Sequence, residues 1–455
     1  MQRKKIQILM GVMVIVALLV TACAKATSTT TSVTTTAATT AATTTATIST
    51  PSAATTSVAT TTSATTGTTA TGPLTHEGVS YTPYTGKFDR TFTFYGVCPL
   101  SGSGAGSGIN AQRSYQWAIE DLNAQGGIVV DGVRYKIQSQ WLDHAQNVQK
   151  ANDAATILIN QYNAKFAYEQ TTAEVMATED AYARANVFML VEVIPQPKTI
   201  GTNWPLQFSI CITPGTFAAT VYYPLFIKDF GVKNIALVDP DSDNGRVFAG
   251  IAQTTTKQLG LPINFVSDLY YTPNSQDFSP LVNKVLALNP DFIDMPAAAD
   301  GDAGLICKQA RDAGYKGLMG TTIFTTNALP IWNIAGAAST GFFDPGYATD
   351  PTPQYAYFRT TWFNQFNSPI IPNCLSNYES CINMFRAIEK VGFDPYKVAS
   401  VLQDQVWNSA FGLNTQYAGN EPGSIYGLKR FLKINEPMIR FTTNGNIQAW
   451  ENGSW

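Results

Sequence analysis

Residues 91–127 read TFTFYGVCPLSGSGAGSGINAQRSYQWAIEDLNAQGG, and their pattern decides the fold. Thr91 to Cys98 is rich in β-branched and aromatic residues and predicts a strand. Glycine-rich Ser101 to Gly108 predicts a loop. Ile109 to Ala124 predicts a helix, with Tyr115, Ala118, Ile119 and Leu122 spaced to share one face. Gln125-Gly126-Gly127 closes it.

The same alternation continues outward. A turn at Asp131-Gly132 leads into a strand from Tyr135 to Leu142, helical spacing from Val148 to Ile159, and strands near Phe166 and at Val187 to Val193. A second series follows: helix Phe217 to Phe230, strand Asn234 to Val238, a helix ending at Gly260, strand Ile263 to Leu269, helix Pro280 to Leu288, strand Asp291 to Met295 and helix Ala303 to Ala313. Strands alternating with helices at this spacing predict parallel sheets covered on both faces. Two successive series predict two α/β lobes.

The chain has 455 residues, a net charge of -3, 13% charged and 45% hydrophobic residues. That length suits two domains, and no basic stripe offers itself to nucleic acid. At the start, Arg3, Lys4 and Lys5 precede an apolar run from Ile6 to Val20, and Thr21-Ala22 leads into Cys23. The run is shorter than the roughly 20 residues of a membrane span and reads as a signal-peptide core. Residues 26–75 hold no charge and are almost entirely Thr, Ala and Ser, so residues 23–87 are expected to form an extended spacer.

Two histidines, His76 and His144, and no Cys-x-x-Cys leave almost nothing for a zinc site or a His-dependent triad. Neither a metal nor a cofactor is expected. Cys98 and Cys307 lie in apolar runs and read as small buried hydrophobes. Cys374 and Cys381, beside Pro372 and Asn373 in a segment that reads as a loop, are expected to form a disulfide.

Several motifs together resemble a known family. They are Pro99-Leu-Ser-Gly102, Ala118-Ile-Glu-Asp-Leu-Asn-Ala-Gln-Gly-Gly127, Asp143, Asn234-Ile-Ala-Leu-Val238, Asp277-Phe-Ser-Pro-Leu281, Pro290-Asp-Phe292, Gln309-Ala-Arg-Asp-Ala-Gly314 and Ile334-Ala-Gly336. In this order they resemble the type I periplasmic binding proteins of the branched-chain amino acid (Leu/Ile/Val) class, the solute receptors of ABC importers. Val20-Thr-Ala-Cys23 likewise resembles the lipobox of bacterial lipoproteins, which implies cleavage after residue 22 and a lipid on Cys23.

The resemblance implies two Rossmann-like lobes joined by a three-segment hinge, residues 88–213 with 346–435 and residues 214–345 with 436–455. It implies a monomeric, lipid-anchored extracytoplasmic receptor without enzyme activity, serving ABC permease subunits; a sensory receptor of the same fold is the alternative. The ligand-binding positions it implies are Ser101, Thr171, Thr172, Val193, Ile194, Asn244, Ala298 and Thr322. Thr322 stands where amino-acid binders carry a Glu for the ligand ammonium, and Val193-Ile194-Pro195 replaces a small-residue wall. Free leucine, isoleucine and valine are therefore not the preferred ligands expected; the solute is expected to be amino-acid-like or a carboxylate with an apolar or aromatic body, the latter suiting Thr171, Thr172 and the apolar wall best.

Three signals have plainer readings. The run Gly102 to Gly108 has Ser107 where a dinucleotide fingerprint needs its third glycine, so it reads as a cleft loop. Asp239, Asp241 and Asp243 precede a glycine one place late for a calcium loop, and Gly250 stands where the bidentate Glu belongs; Asn or Asp capping of a helix explains them better. Thr171 and Thr172 suit an anion at a helix N-terminus and suit simple capping equally well.

Overall fold

The computed structural model describes residues 72–450 apart from 103–104, 197, 212–215, 274, 323–327, 347–349, 369, 421–425, 434–437 and 442–446. Cys23 and most of the expected spacer lie outside the described residues, as do residues 212–215, 347–349 and 434–437, where the hinge was expected.

The strands form two sheets. The first runs, edge to edge, β12 (Val406–Ser409), β13 (Gly412–Ala418), β14 (Phe431–Lys433), β6 (Gln207–Ser209), β5 (Phe188–Glu192), β4 (Phe166–Gln170), β1 (Arg90–Cys98), β3 (Val133–Asp143) and β2 (Ile128–Val130). From β14 to β3 the pairing is parallel, and antiparallel pairs close both edges. The second runs β16 (Ile447–Trp450), β15 (Met438–Phe441), β11 (Phe342–Pro345), β10 (Leu318–Gly320), β9 (Phe292–Asp294), β7 (Asn234–Pro240) and β8 (Asn264–Tyr271), parallel from β11 to β8. The chain passes between the sheets after β6, β11 and β14.

Side chains alternate between two cores on either face of each sheet. On β4 and β5, Phe166, Tyr168, Phe188 and Leu190 join one cluster, and Ala167, Met189 and Val191 the other. On β7 and β9, Ala236, Val238 and Ile293 face one way and Ile235, Leu237 and Phe292 the other. This two-sided burial is what a parallel sheet between helices requires.

The helices are α1 (Ala105–Ala124), α2 (Val148–Thr156), α3 (Thr172–Arg184), α4 (Tyr223–Phe230), α5 (Asp243–Gln258), α6 (Ser279–Leu286), α7 (Asp300–Asp312), α8 (Ala328–Ala335), α9 (Pro353–Phe366), α10 (Pro372–Val391) and α11 (Pro395–Gln403). Wider π turns extend α2 over Ile157–Gln161 and precede α4 over Ala218–Tyr222, where unbroken α-helix was expected. The turn into β3 puts Asp131 at φ 51° and Gly132 at φ 78°, the two positive angles of a type I′ hairpin.

Three expectations are corrected. First, α1 begins at Ala105, inside the expected glycine loop. Gly108 sits so close to the Pro99 carbonyl that a Cβ would lie 1.9 Å from its oxygen, so only glycine lets the helix start there.

Second, the fold reaches back well before residue 87. His76 stacks on Trp117 at 3.9 Å and bonds Asp121 through Nδ1 at 2.9 Å, and the Arg134 guanidinium covers the Tyr84 ring at 4.6 Å. His76 and Tyr84 supply the anchoring rings that the Thr/Ala/Ser tract lacks.

Third, Cys374 and Cys381 are free, buried thiols on α10, not a disulfide. Seven residues of helix separate their backbones by about 10 Å, beyond the reach of an S–S bond.

Candidate functional site

All eight candidate ligand positions follow the C-terminal ends of neighbouring parallel strands. Ser101 follows β1, Thr171 and Thr172 follow β4, and Val193 and Ile194 follow β5. Asn244, Ala298 and Thr322 follow β7, β9 and β10 of the second sheet. This is the edge where open α/β sheets hold ligands. Ile194 packs into the same apolar cluster as Tyr222, Tyr223 and Phe248, and α3 touches α5, so the two edges meet.

On the first edge most polar groups are committed to one another. Asp143 accepts the Ser101 hydroxyl at 2.6 Å and the Leu100 and Ala145 amides at 2.8 Å each. Partial burial opposes ionisation, but these bonds hold Asp143 below the usual carboxylate range. His144 is fully buried: the Gln146 amide donates to Nδ1 at 3.0 Å, so Nε2 donates to the Gln170 carbonyl at 3.0 Å. Burial pushes its pKa down, keeping the ring neutral.

The β4–α3 turn is strained. Thr171 sits at φ 77°, a region costing a β-branched residue about 1–3 kcal/mol. Its hydroxyl faces Glu174 Oε2 and the Gln170 carbonyl, each at 2.5 Å, so it is turned inward and not toward a ligand. No side chain caps the amides that open α3. Thr172 makes no side-chain hydrogen bond among the described residues, which leaves its hydroxyl and the first amides of α3 as available donors.

A buried carboxyl, Glu169, and a half-buried one, Glu192, underlie this edge. Glu169 accepts the Thr178 hydroxyl at 2.8 Å, and burial pushes its pKa up to about 8. Glu192 accepts from Tyr168, Asn377 and Asn373 at 2.8, 2.6 and 3.1 Å, and burial raises it too.

On the second edge Thr322 donates to Asp294 Oδ2 at 2.7 Å, and Tyr223 donates to the same oxygen at 2.6 Å. Asp294 is fully buried, which pushes it up to about 7 against those bonds. Neighbouring Asp239 accepts the Ala297 amide at 2.7 Å and is raised by burial. Asp241 pairs with Arg246, and Ser242, not Asn or Asp, caps α5 through the Gly245 amide. Among the described residues no His, Cys, Asp and Glu group is arranged to hold a metal ion.

Val193 and Ala298 are core residues: Val193 packs beside Val97 and Val191, and Ala298 beside Met295 and Ala303. Asn244 is half-buried in the first turn of α5. The sequence reading missed Glu192, Asp294 and the role of His144. Asp294 had a visible signal, an acid ending the apolar strand Phe292–Asp294.

Comparison with known proteins agrees with this architecture. Residues 96–424, more than half the chain, match the periplasmic binding protein family, and the chain belongs to it. Relatives and solved structures similar to it are named as Leu/Ile/Val-binding proteins and ABC transporter solute-binding proteins. A Brucella abortus relative, Leu/Ile/Val-binding protein homolog 8, is 25% identical over 329 residues, covering 68% of this chain and 79% of its own. Two solved structures share the fold. The substrate-binding protein LivJ from Streptococcus pneumoniae, in complex with isoleucine, has a TM-score of 0.62 at 16% identity, covering 79% of this chain and 99% of its own. An R. palustris solute-binding protein in complex with 4-hydroxybenzoate has a TM-score of 0.61 at 18% identity, covering 78% and 95%.

Proposed function

We propose that this protein is the lipid-anchored solute receptor of an ABC importer and that it captures a small carboxylate with an apolar or aromatic body. The carboxylate would meet the Thr172 hydroxyl and the opening amides of α3, where the helix dipole favours an anion. One observation carries the choice of ligand. Thr322 stands where amino-acid binders of the resembling class place a Glu, and its hydroxyl is turned to the buried Asp294, already shared with Tyr223. That hydroxyl is committed and carries no charge, and burying an ammonium there without a counter-charge costs several kcal/mol. The R. palustris protein in complex with 4-hydroxybenzoate supports an aromatic acid as a cargo for this fold. In this reading the receptor binds and releases its ligand unchanged.

The test is a thermal-shift and calorimetric screen of benzoate, 4-hydroxybenzoate and branched 2-oxo acids against leucine, isoleucine and valine. The acids should stabilise the protein more strongly. Tight leucine binding would overturn the ligand assignment.

A further inference from the structure

A second cavity opens in the first lobe, at the opposite end of the sheet from the proposed cleft. It has a volume of about 230 Å³ and lies at the starts of β5 and β6, where Val187, Met189 and Leu206 form an apolar floor. Glu179 of α3 and Trp204 stand in its walls, and Tyr396, 54% exposed, forms its rim. The length of β5, about 16 Å, separates it from Val193 and Ile194.

The chemistry of this cavity is unlike that of the cleft. Glu179 is 6% exposed, and among the described residues one of its oxygens accepts the Gln207 side-chain amide alone, at 3.3 Å. Among the described residues no Lys, Arg or His pairs with it. Its charged and titratable neighbours are Asp180 on its own helix, which opposes ionisation, and Tyr182 and Tyr396 in the walls. Among the described residues the buried Trp204 indole N–H has no hydrogen-bond partner. A carboxyl lacking a counter-charge, set among aromatic rings in a water-accessible cavity, is the composition that recognises organic cations.

We propose that this cavity is a second ligand site, selective for small organic ammonium ions, with Glu179 as the counter-charge and the Trp204 and Tyr396 rings as walls. It is independent of the cleft and of the acid assigned there. Burial first, and then the neighbouring Asp180 charge, raise the Glu179 carboxyl to about 8 against the Gln207 hydrogen bond, so a bound cation would return it to the ionised form and release a proton. A neutral ligand would release none.

The experiment uses the full mature chain, titrated calorimetrically at pH 7 with tetramethylammonium and benzylammonium and with their neutral counterparts tert-butanol and benzyl alcohol. The cations should bind saturably, the alcohols at least tenfold more weakly. Repeating the titration in buffers of different ionisation enthalpy should reveal the released proton. Glu179→Gln should lower cation affinity at least tenfold, and Tyr396→Leu, an exposed change that leaves the core intact, severalfold. Thr172→Val should not alter it. Absence of saturable cation binding, equal binding of the alcohols, or affinity unchanged in both Glu179→Gln and Tyr396→Leu would each overturn the proposal.

Discussion

The hydroxyl of Thr322 and the carboxyl of Asp294 meet at 2.7 Å inside the second lobe, at the ends of adjacent parallel strands. Tyr223 closes on the same carboxyl oxygen. Thr322, itself fully buried, is therefore the donor side of an internal pair. That arrangement makes a measurable statement about stability.

In the folded protein Asp294 keeps its proton to about pH 7, against 3.8 ordinarily, because it is buried. Between those two values the folded state binds more protons than the unfolded state, so this group costs stability as pH rises. Asp294→Asn keeps an acceptor for Thr322 and Tyr223 and removes the titration. Its stability relative to the unchanged protein should rise by about 2–4 kcal/mol from pH 4 to pH 7.5 and then stay level. Denaturant melts at pH 4.5 and 7.5 giving the same difference would contradict the burial argument. Glu169 carries the same sign, with its window reaching to about pH 8.

The two threonines of the β4–α3 turn should separate cleanly. Thr172→Val removes an uncommitted donor and should weaken binding of the best acid ten- to hundredfold, the value of about 1.5–3 kcal/mol for a hydrogen bond to a charge. Thr171→Val loses a hydroxyl already turned to Glu174, so its affinity should change less than its melting temperature. Calorimetry on both variants with one acid decides the matter; the reverse order would place Thr171 at the ligand.

Much of the architecture could be read directly because period and punctuation agree. Apolar strands of five or so residues alternate with amphipathic helices, and glycines such as Gly231 and Gly260 stand at or beyond helix ends with positive φ. The failures have local causes. Pro372 suggested a loop, yet proline at the first turn of a helix lacks only an N–H that would be unpaired anyway. The glycines of residues 102–108 suggested a loop although Gly108 is there for close packing. The pairs Thr322–Asp294 and Thr171–Glu174 were invisible for different reasons: one joins residues 28 apart, and the other depends on a positive φ that threonine rarely adopts.

Helical placement of Cys374 and Cys381 predicts indifference to reductant. Burial pushes the Cys374 thiol up to about 12 and raises Cys381 as well, so both stay protonated and inert. The melting temperature should be the same with and without dithiothreitol. Non-reducing peptide maps should show both residues alkylated only after unfolding. A Cys374–Cys381 crosslinked peptide would mean that α10 is not continuous at this point.

The last prediction concerns the part of the chain before residue 72. Three basic residues, an apolar run of signal-peptide length and Thr21-Ala22-Cys23 are the features a lipoprotein signal requires, and nothing later in the chain offers a cluster of Lys and Arg for membrane binding. If a lipid on Cys23 is what holds the receptor, the uncharged Thr/Ala/Ser tract sets its reach, and the folded body at Leu74 to Tyr84 is where that tether ends. Cys23→Ser should therefore move the mature protein from the membrane fraction to the soluble fraction while leaving ligand affinity unchanged. Cells carrying it should lose uptake of the identified acid in proportion to the receptor shed. Membrane retention of Cys23→Ser would refute the lipid anchor, and full uptake with soluble receptor would show that tethering is dispensable for delivery.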